Sequence, residues 1–214
     1  MASTVHSFTF NPFQENMYIV YDETKQCVIF DPGCYEEDER LELVEFIEKN
    51  ELRPVKLINT HGHIDHMLGN SFVAGKYGLK LEMHEADIDT LLQAPVYGQM
   101  WGIHPQPSPE PSVLLNEGDV ITFGNTKLEV LFTPGHSRGS ISFYNKVDSF
   151  VISGDVLFYG SIGRTDLPGG DFDILAKSIK EKLYTLPENT VVYSGHGPQT
   201  SIGKEKKTNP FVKG

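Results

Sequence analysis

Short apolar runs rich in β-branched and aromatic residues recur along the chain, and they alternate with stretches whose apolar positions step by three and four. The first pattern predicts strands at residues 17–21, 27–30, 57–59, 79–83, 128–132, 141–144, 150–153 and 191–193. The second predicts helices at 37–50, 67–77, 86–93 and 172–186. In the last of these Phe172, Leu175, Ile179, Leu183 and Leu186 make one apolar stripe suited to packing on a sheet, with Asp171 as its N-cap. Residues 95–111 carry five prolines together with Tyr97, Trp101 and His104, and read as a long loop. Most strands near the N-terminus and after Asn125 follow one another without a helix between, which predicts layered, partly antiparallel sheets flanked by helices.

Composition narrows what such a fold does. At 214 residues, 39% of them hydrophobic and 22% charged, the chain is of ordinary globular composition and long enough to bury a full core. Its 18 Lys and Arg stand against 29 Asp and Glu, a formal charge of −11, with Lys204, Lys206 and Lys207 the one basic cluster. Phosphate contacts need clustered cations, so nucleic acid is not an expected partner. No apolar stretch approaches the ~18 residues of a membrane span, and no basic and apolar leader pattern precedes Tyr21. Cys27 and Cys34 are too few for a disulfide framework and read as reduced structural thiols, which together with the missing leader predicts a cytoplasmic protein.

Eight histidines in so acidic a chain are the oddity, and five fall in telling places. Thr60-His61-Gly62-His63-Ile64-Asp65-His66 leaves an apolar strand. Alternate residues of an extended chain share a face, so His61 and His63 can meet one ion, while Asp65 and His66 lie past the turn and can meet a neighbouring one. Imidazole and carboxylate donors suit zinc, iron or manganese, and a site without thiolates keeps open positions of the kind catalysis uses. Three more donors sit at strand exits beside glycine: His136 in Pro134-Gly135-His136, Asp155 in Ser153-Gly154-Asp155, and His196 in Ser194-Gly195-His196-Gly197. His6, His84 and His104 read as structural or solvated residues. Of these only His104, beside Tyr97 and Trp101, is a candidate for a substrate pocket.

These residues in this order resemble the metallo-β-lactamase superfamily. The resemblance implies an α/β fold, a four-layer αββα sandwich, spanning residues 1–214 as one domain. It further implies that Asp31-Pro32-Gly33 is a turn supporting the ligand loops. Phe10-Asn11-Pro12-Phe13, Asn16-Met17-Tyr18, the segment from Gly160 to Gly170, and Glu205 leading into Asn209-Pro210-Phe211 resemble more narrowly the short glyoxalase II-like branch, which lacks the C-terminal helical domain of the larger enzymes. Residue by residue, the family pattern implies that His61, His63 and His136 hold one divalent ion, that Asp65, His66 and His196 hold a second, and that Asp155 bridges them. Zinc leads iron and manganese as the expected metal.

The activity so implied is metal-dependent hydrolysis of a small-molecule thioester such as an S-(2-hydroxyacyl)glutathione, by hydroxide held at the ions, with His61, His63 and Asp65 at the catalytic centre. Arg164, His104, Trp101 and Tyr97 are the expected substrate contacts, Arg164 standing where the larger enzymes present Lys and Tyr to glutathione. Arg138, beside the His136 motif, departs from the small residue or proline common in relatives. Two other readings remain open: an iron-dependent persulfide dioxygenase using the equivalents of His61, His136 and Asp155, and a non-catalytic metal-binding protein.

Overall fold

Strand side chains alternate between faces, and here both faces of both sheets are apolar, so each sheet is covered on two sides. In the computed structural model, which describes residues 2–214, the first sheet is ordered β1 (Thr4–Phe10), β2 (Glu15–Tyr21), β3 (Gln26–Phe30), β4 (Arg53–Ile58), β5 (Leu81–Met83), β6 (Val113–Leu114). Helices α1 (Glu37–Lys49), α2 (Asn70–Tyr77) and α3 (Ile88–Met100) belong to this half. The second sheet comprises β7 (Val120–Phe123), β8 (Thr126–Phe132), β9 (Ile141–Asn145), β10 (Phe150–Gly154), β13 (Val191–Ser194) and β14 (Thr200–Ser201), in the order β14-β13-β10-β9-β8-β7. A small hairpin, β11 (Leu157–Phe158) and β12 (Ser161–Ile162), and helices α4 (Phe172–Glu181) and α5 (Ile202–Thr208) complete it.

The alternation divides the apolar residues among three cores. Met17, Ile19, Ile29 and Leu57 pack with Leu43, Ile47, Val73 and Leu91 of α1 to α3. Val20, Val28, Phe30 and Ile58 turn the other way and meet Val130, Ile141, Phe143 and Ile152 between the sheets. Val151 and Val192 face Leu175, Ile179 and Ile202 on the far side. The result is the αββα sandwich the resemblance implied. Both sheets are mixed: β1-β2-β3 and β7-β8-β9-β10 are antiparallel, β3-β4-β5-β6 and β10-β13 parallel.

Several predicted boundaries move. The segment 95–111 is not loop throughout, because α3 runs through Pro95 to Met100, carried by Leu91, Ala94 and Gly98, which are all buried on its inner face. The predicted helix 67–77 begins at Asn70, after a tight turn over Ile64–His66. That of 172–186 ends at Glu181 and resumes as one 3-10 turn, Leu183–Thr185, with Leu183 still in the core; Asp171 does cap it, its side chain accepting from the Ile174 amide. Strands β1 and β7 have a half-exposed pattern and lie outside the predicted set. Among the described residues no helix is long and apolar enough to cross a membrane.

This topology assembles one edge. Strands β3 and β4 run parallel, as do β10 and β13, and β8 runs with β10 because both oppose β9. Five strands therefore end toward the same side, where the sheets are tied directly. The Asn16 amide donates to the Gly195 carbonyl at 2.7 Å and that of Ile141 to the Thr60 carbonyl at 3.0 Å.

Candidate metal centre

All seven donors predicted from the strand exits meet at that edge, in two groups. His61, His63 and His136 form one triad whose ring centroids are 4.6–4.9 Å apart. Asp65, His66 and His196 form the other, with His196 Nε2 3.1 Å and His66 Nε2 3.6 Å from Asp65 Oδ2. Asp155 lies between them. Its Oδ1 is 3.4 Å from His66 Nε2, and its Oδ2 is 3.5 Å from both His136 Nε2 and His196 Nε2.

The hydrogen bonds behind the rings determine which nitrogen faces inward. Thr60 Oγ1 has one proton and gives it to Asp31 Oδ2 at 2.6 Å, so at 3.0 Å it accepts from His61 Nδ1 and leaves Nε2 as a lone pair. His136 Nδ1 donates to the Arg164 carbonyl at 2.8 Å, His196 Nδ1 to the Gln14 carbonyl at 3.2 Å, and His66 Nδ1 to Asp31 Oδ2 at 3.1 Å. In each case Nε2 points at the centre. His63 is reversed, with its Nδ1 2.9 Å from His136 Nε2. Buried polar atoms ordinarily have partners, yet His61 Nε2, His66 Nε2 and Asp155 Oδ1 are buried with none. The inward-facing His61 lone pair and the Asp155 oxygen fit a divalent cation, and His66 Nε2 would bind one by releasing its proton.

Charge differs between the triads. Burial, aided by His66, holds His61 well below its ordinary pKa, and burial followed by His136 brings His63 to about 4. Burial also opposes charge on His66, but Asp65 and Asp155 outweigh it and raise its pKa well above the usual value. His196 is raised against burial by its hydrogen bond to Asp65. Against the same opposing burial, His66 holds Asp65 low and Asp155 well below the carboxylate range. His61 and His63 are thus neutral bases, while the second triad is a network of ion pairs.

The supports are as specific as the donors. Asp31, at φ +47°, accepts from the Thr60 amide at 2.7 Å as well as from Thr60 Oγ1 and His66, which is the supporting role implied for Asp31-Pro32-Gly33. Asn11 Nδ2 donates to the carbonyls of Gly33 and Asp65, and Asn16 Nδ2 to those of Ser194 and Gly197. Glu205 accepts from the Gly160 amide while Asn209 Nδ2 reaches the Ser161 carbonyl, tying the β11–β12 hairpin to the C-terminal segment. A Cβ at Gly195 would overlap Asp155 Oδ1 and lie 2.8 Å from His66 Cε1, so only glycine lets this exit approach the centre.

Two supporting residues are absent from the sequence reading. Asp87, fully buried, accepts from the Gly62 amide at 2.8 Å, Ser137 Oγ at 2.7 Å and the Gly139 amide at 2.8 Å, clamping together the loops that carry His61, His63 and His136. Glu15, also fully buried, stands 3.7 Å from His66 Nδ1, and burial pushes its carboxyl well above the carboxylate range. In sequence each is one acidic residue among 29. The signal for Asp87 is weak: a carboxylate three residues after the His84 that opens a tight turn at the foot of α3.

A cavity of about 610 Å³ opens beside the centre and is lined by His63, Asp65, His136, Asp155 and His196. Phe13, Tyr97, Trp101 and Phe158 supply an aromatic wall. Of the predicted substrate contacts, Tyr97, Trp101 and Arg164 line it and His104 does not. His104 is exposed, and its amide donates to Tyr35 Oη at 3.3 Å. Arg164 is engaged by Asp166, Nε to Oδ1 and Nη2 to Oδ2, both 2.7 Å. Cys27 and Cys34 are free and buried, and burial pushes both thiols up to about 12.

Comparison with known proteins agrees with this geometry. The sequence model of the metallo-β-lactamase superfamily matches residues 10–196. The chain belongs to that superfamily. Among its relatives, the protein named probable metallo-hydrolase YqgX of Bacillus subtilis is 42% identical over 205 residues, 95% of this chain and 94% of that protein. Hydroxyacylglutathione hydrolase GloC of Haemophilus influenzae is 36% identical over 202 residues, 94% of this chain and 93% of the relative. The crystal structure of TTHA1623 in a di-iron-bound form superposes with a TM-score of 0.87 at 37% identity, covering 97% of this chain and all of that one. The two donor triads are consistent with a binuclear centre of the sort that structure's description implies.

Proposed function

We propose that this chain is a metal-dependent hydrolase of small-molecule thioesters, with S-(2-hydroxyacyl)glutathione or a related acyl thiol as substrate and zinc as its metal. The observation that carries the reading is the Asp155 carboxylate set between two donor triads at the floor of an open, partly aromatic cavity. His61, His63 and His136 would hold one ion, Asp65, His66 and His196 a second, and Asp155 both. Divalent ions in such sites lower the pKa of water to about 7 and act as Lewis acids toward a carbonyl.

The chain's own residues do the rest. Phe13, Tyr97, Trp101 and Phe158 bury the apolar part of the acyl thiol and exclude water from it. Asp65 faces the cavity with its Oδ2 anchored by His196 at 3.1 Å, so its carboxylate can orient the attacking water and take its proton. Oxygen adds to the acyl carbon, the carbon–sulfur bond breaks, and the proton passes from Asp65 to the departing sulfur, giving a carboxylic acid and a thiol. No serine or cysteine nucleophile is required, in keeping with two thiols that burial holds in the protonated form.

Support for the thioester comes from the likeness to the hydroxyacylglutathione hydrolase and from the Asn11, Asn16, Glu205 and Asn209 contacts, which give its motif residues work to do around the site. Elemental analysis paired with hydrolysis of S-lactoylglutathione tests it. Two metals per chain and efficient turnover are expected. A single iron with oxygen consumption on glutathione persulfide would overturn it in favour of the oxygenase reading.

A further inference from the structure

Outside the donors, the charged residues on the cavity wall are Asp89, Arg138 and Arg164. Arg164 already holds Asp166 through two 2.7 Å contacts. Arg138 is in none of the ion pairs or side-chain hydrogen bonds found among the described residues. Its placement is nonetheless built. Asp87 grips the chain on either side of it, through Ser137 Oγ and the Gly139 amide, and its stem lies against Gly169, whose added Cβ would come 3.1 Å from Arg138 Cγ. The backbone two residues before it carries His136 of the first triad. Arg138 is exposed, its stem held at the cavity rim, and its guanidinium offers a planar fork that no carboxylate among the described residues fills, in a protein whose charge is −11.

We infer that Arg138 is the residue that recognises the substrate's anionic group, a carboxylate, and so determines which thioesters this cavity accepts. This rests on the thioester reading above. It also accounts for a residue that the superfamily pattern leaves unexplained, and gives Arg138 a role for which Arg164, its charge already matched by Asp166, is the weaker candidate. The carboxylate can lie on the acyl side or on the thiol side of the scissile bond; in either position it lies beyond the reacting carbon and contributes binding and orientation.

The test uses the metal-loaded protein with matched thioesters: butyryl against succinyl on N-acetylcysteamine for the acyl side, and butyryl on 3-mercaptopropanol against 3-mercaptopropanoate for the thiol side. In Arg138→Gln, kcat/KM for one carboxylate-bearing member should fall about tenfold through KM, the scale of one charge-assisted pair, with its neutral partner unchanged. Arg138→Lys should recover part of the loss. The side that responds locates the carboxylate. Equal losses on charged and neutral members, or no loss on either side, would overturn the inference. Calorimetry with the S-butyl thioethers of the same three thiols and S-(3-carboxypropyl)-N-acetylcysteamine needs no turnover. Tighter binding of a carboxylate thioether by the wild type, erased in Arg138→Gln, supports the assignment; equal binding by the wild type refutes it. If that preference is seen but no thioester is cleaved, the hydrolase reading falls and the Arg138 site stands.

Discussion

The two triads share one turn of chain, residues 61–66, yet differ in kind. His61 and His63, which burial keeps neutral, are clamped through Gly62 by Asp87 and join His136 in the first group. Asp65 and His66, two residues further on, join His196 in a group knit by charge and backed by Asp31. The difference teaches that buried donors can be kept ready in two ways. Neutral imidazoles need no counter-charge, whereas a charged network is held by its own ion pairs and must exchange them when a ligand enters. Asp155 belongs to both.

That shared residue gives the sharpest way to break the comparison. Asp155→Ala should remove both ions and lower thioester turnover by about a thousandfold or more, measured by elemental analysis and initial rates. A variant that kept one ion tightly bound would show the triads to be independent. Next in size, Asp87→Asn and Asp31→Asn should separate them. Each should weaken zinc about ten- to a hundredfold, Asp87→Asn at the first triad alone and Asp31→Asn at both, because Asp31 holds His66 directly and His61 through Thr60, as read by competition with a chromogenic chelator. Asp87→Asn should also cost about 1–3 kcal/mol in urea unfolding, because the Asn amide cannot accept from the Gly62, Ser137 and Gly139 donors together.

The smallest effect at neutral pH is a control on the fold. Cys27 and Cys34 lie in the helix-side core of the first sheet and in neither triad. Their thiols should resist iodoacetamide in the native protein at pH 8 and react once it unfolds, in the wild type and in each variant that has damaged only a triad. Burial raises both from the ordinary 9.0 to about 12, so the folded chain keeps protons that the unfolded chain releases. The thiols' contribution to stability is therefore whole below pH 9 and is lost as pH rises toward 12. The unfolding free energy should fall there by up to about 1.4 kcal/mol per pH unit per thiol. Replacing either cysteine by alanine should flatten that decline.

The layered fold was legible because alternation and strand spacing carry it, and the donors were legible because histidine beside glycine at a strand exit has few other uses. What escaped is informative. Nothing local distinguishes Asp87 from the exposed Glu85 and Asp89 beside it; its role arises from Gly62 and Ser137, 25 and 50 residues away. The extension of α3 through Pro95 was hidden because proline argues against helix, while the burial of Leu91, Ala94 and Gly98 that overrides it is a tertiary fact. Arg164 looked like the natural substrate cation until its partner two residues away was seen to occupy it.

The convergence of strand exits has a mechanical side. His61, His63, Asp65 and His66 hang from the first sheet, and His136, Asp155 and His196 from the second, so whatever fills the centre fastens one half of the sandwich to the other. The unfolded chain, with those donors scattered across more than a hundred residues, offers no comparable grip. Occupancy is then a clasp as well as a reagent: a ligand held only by the closed sandwich adds about 2.7 kcal/mol to its stability at a hundredfold excess over Kd. The same geometry means that prising the sheets apart dismantles the chemistry first.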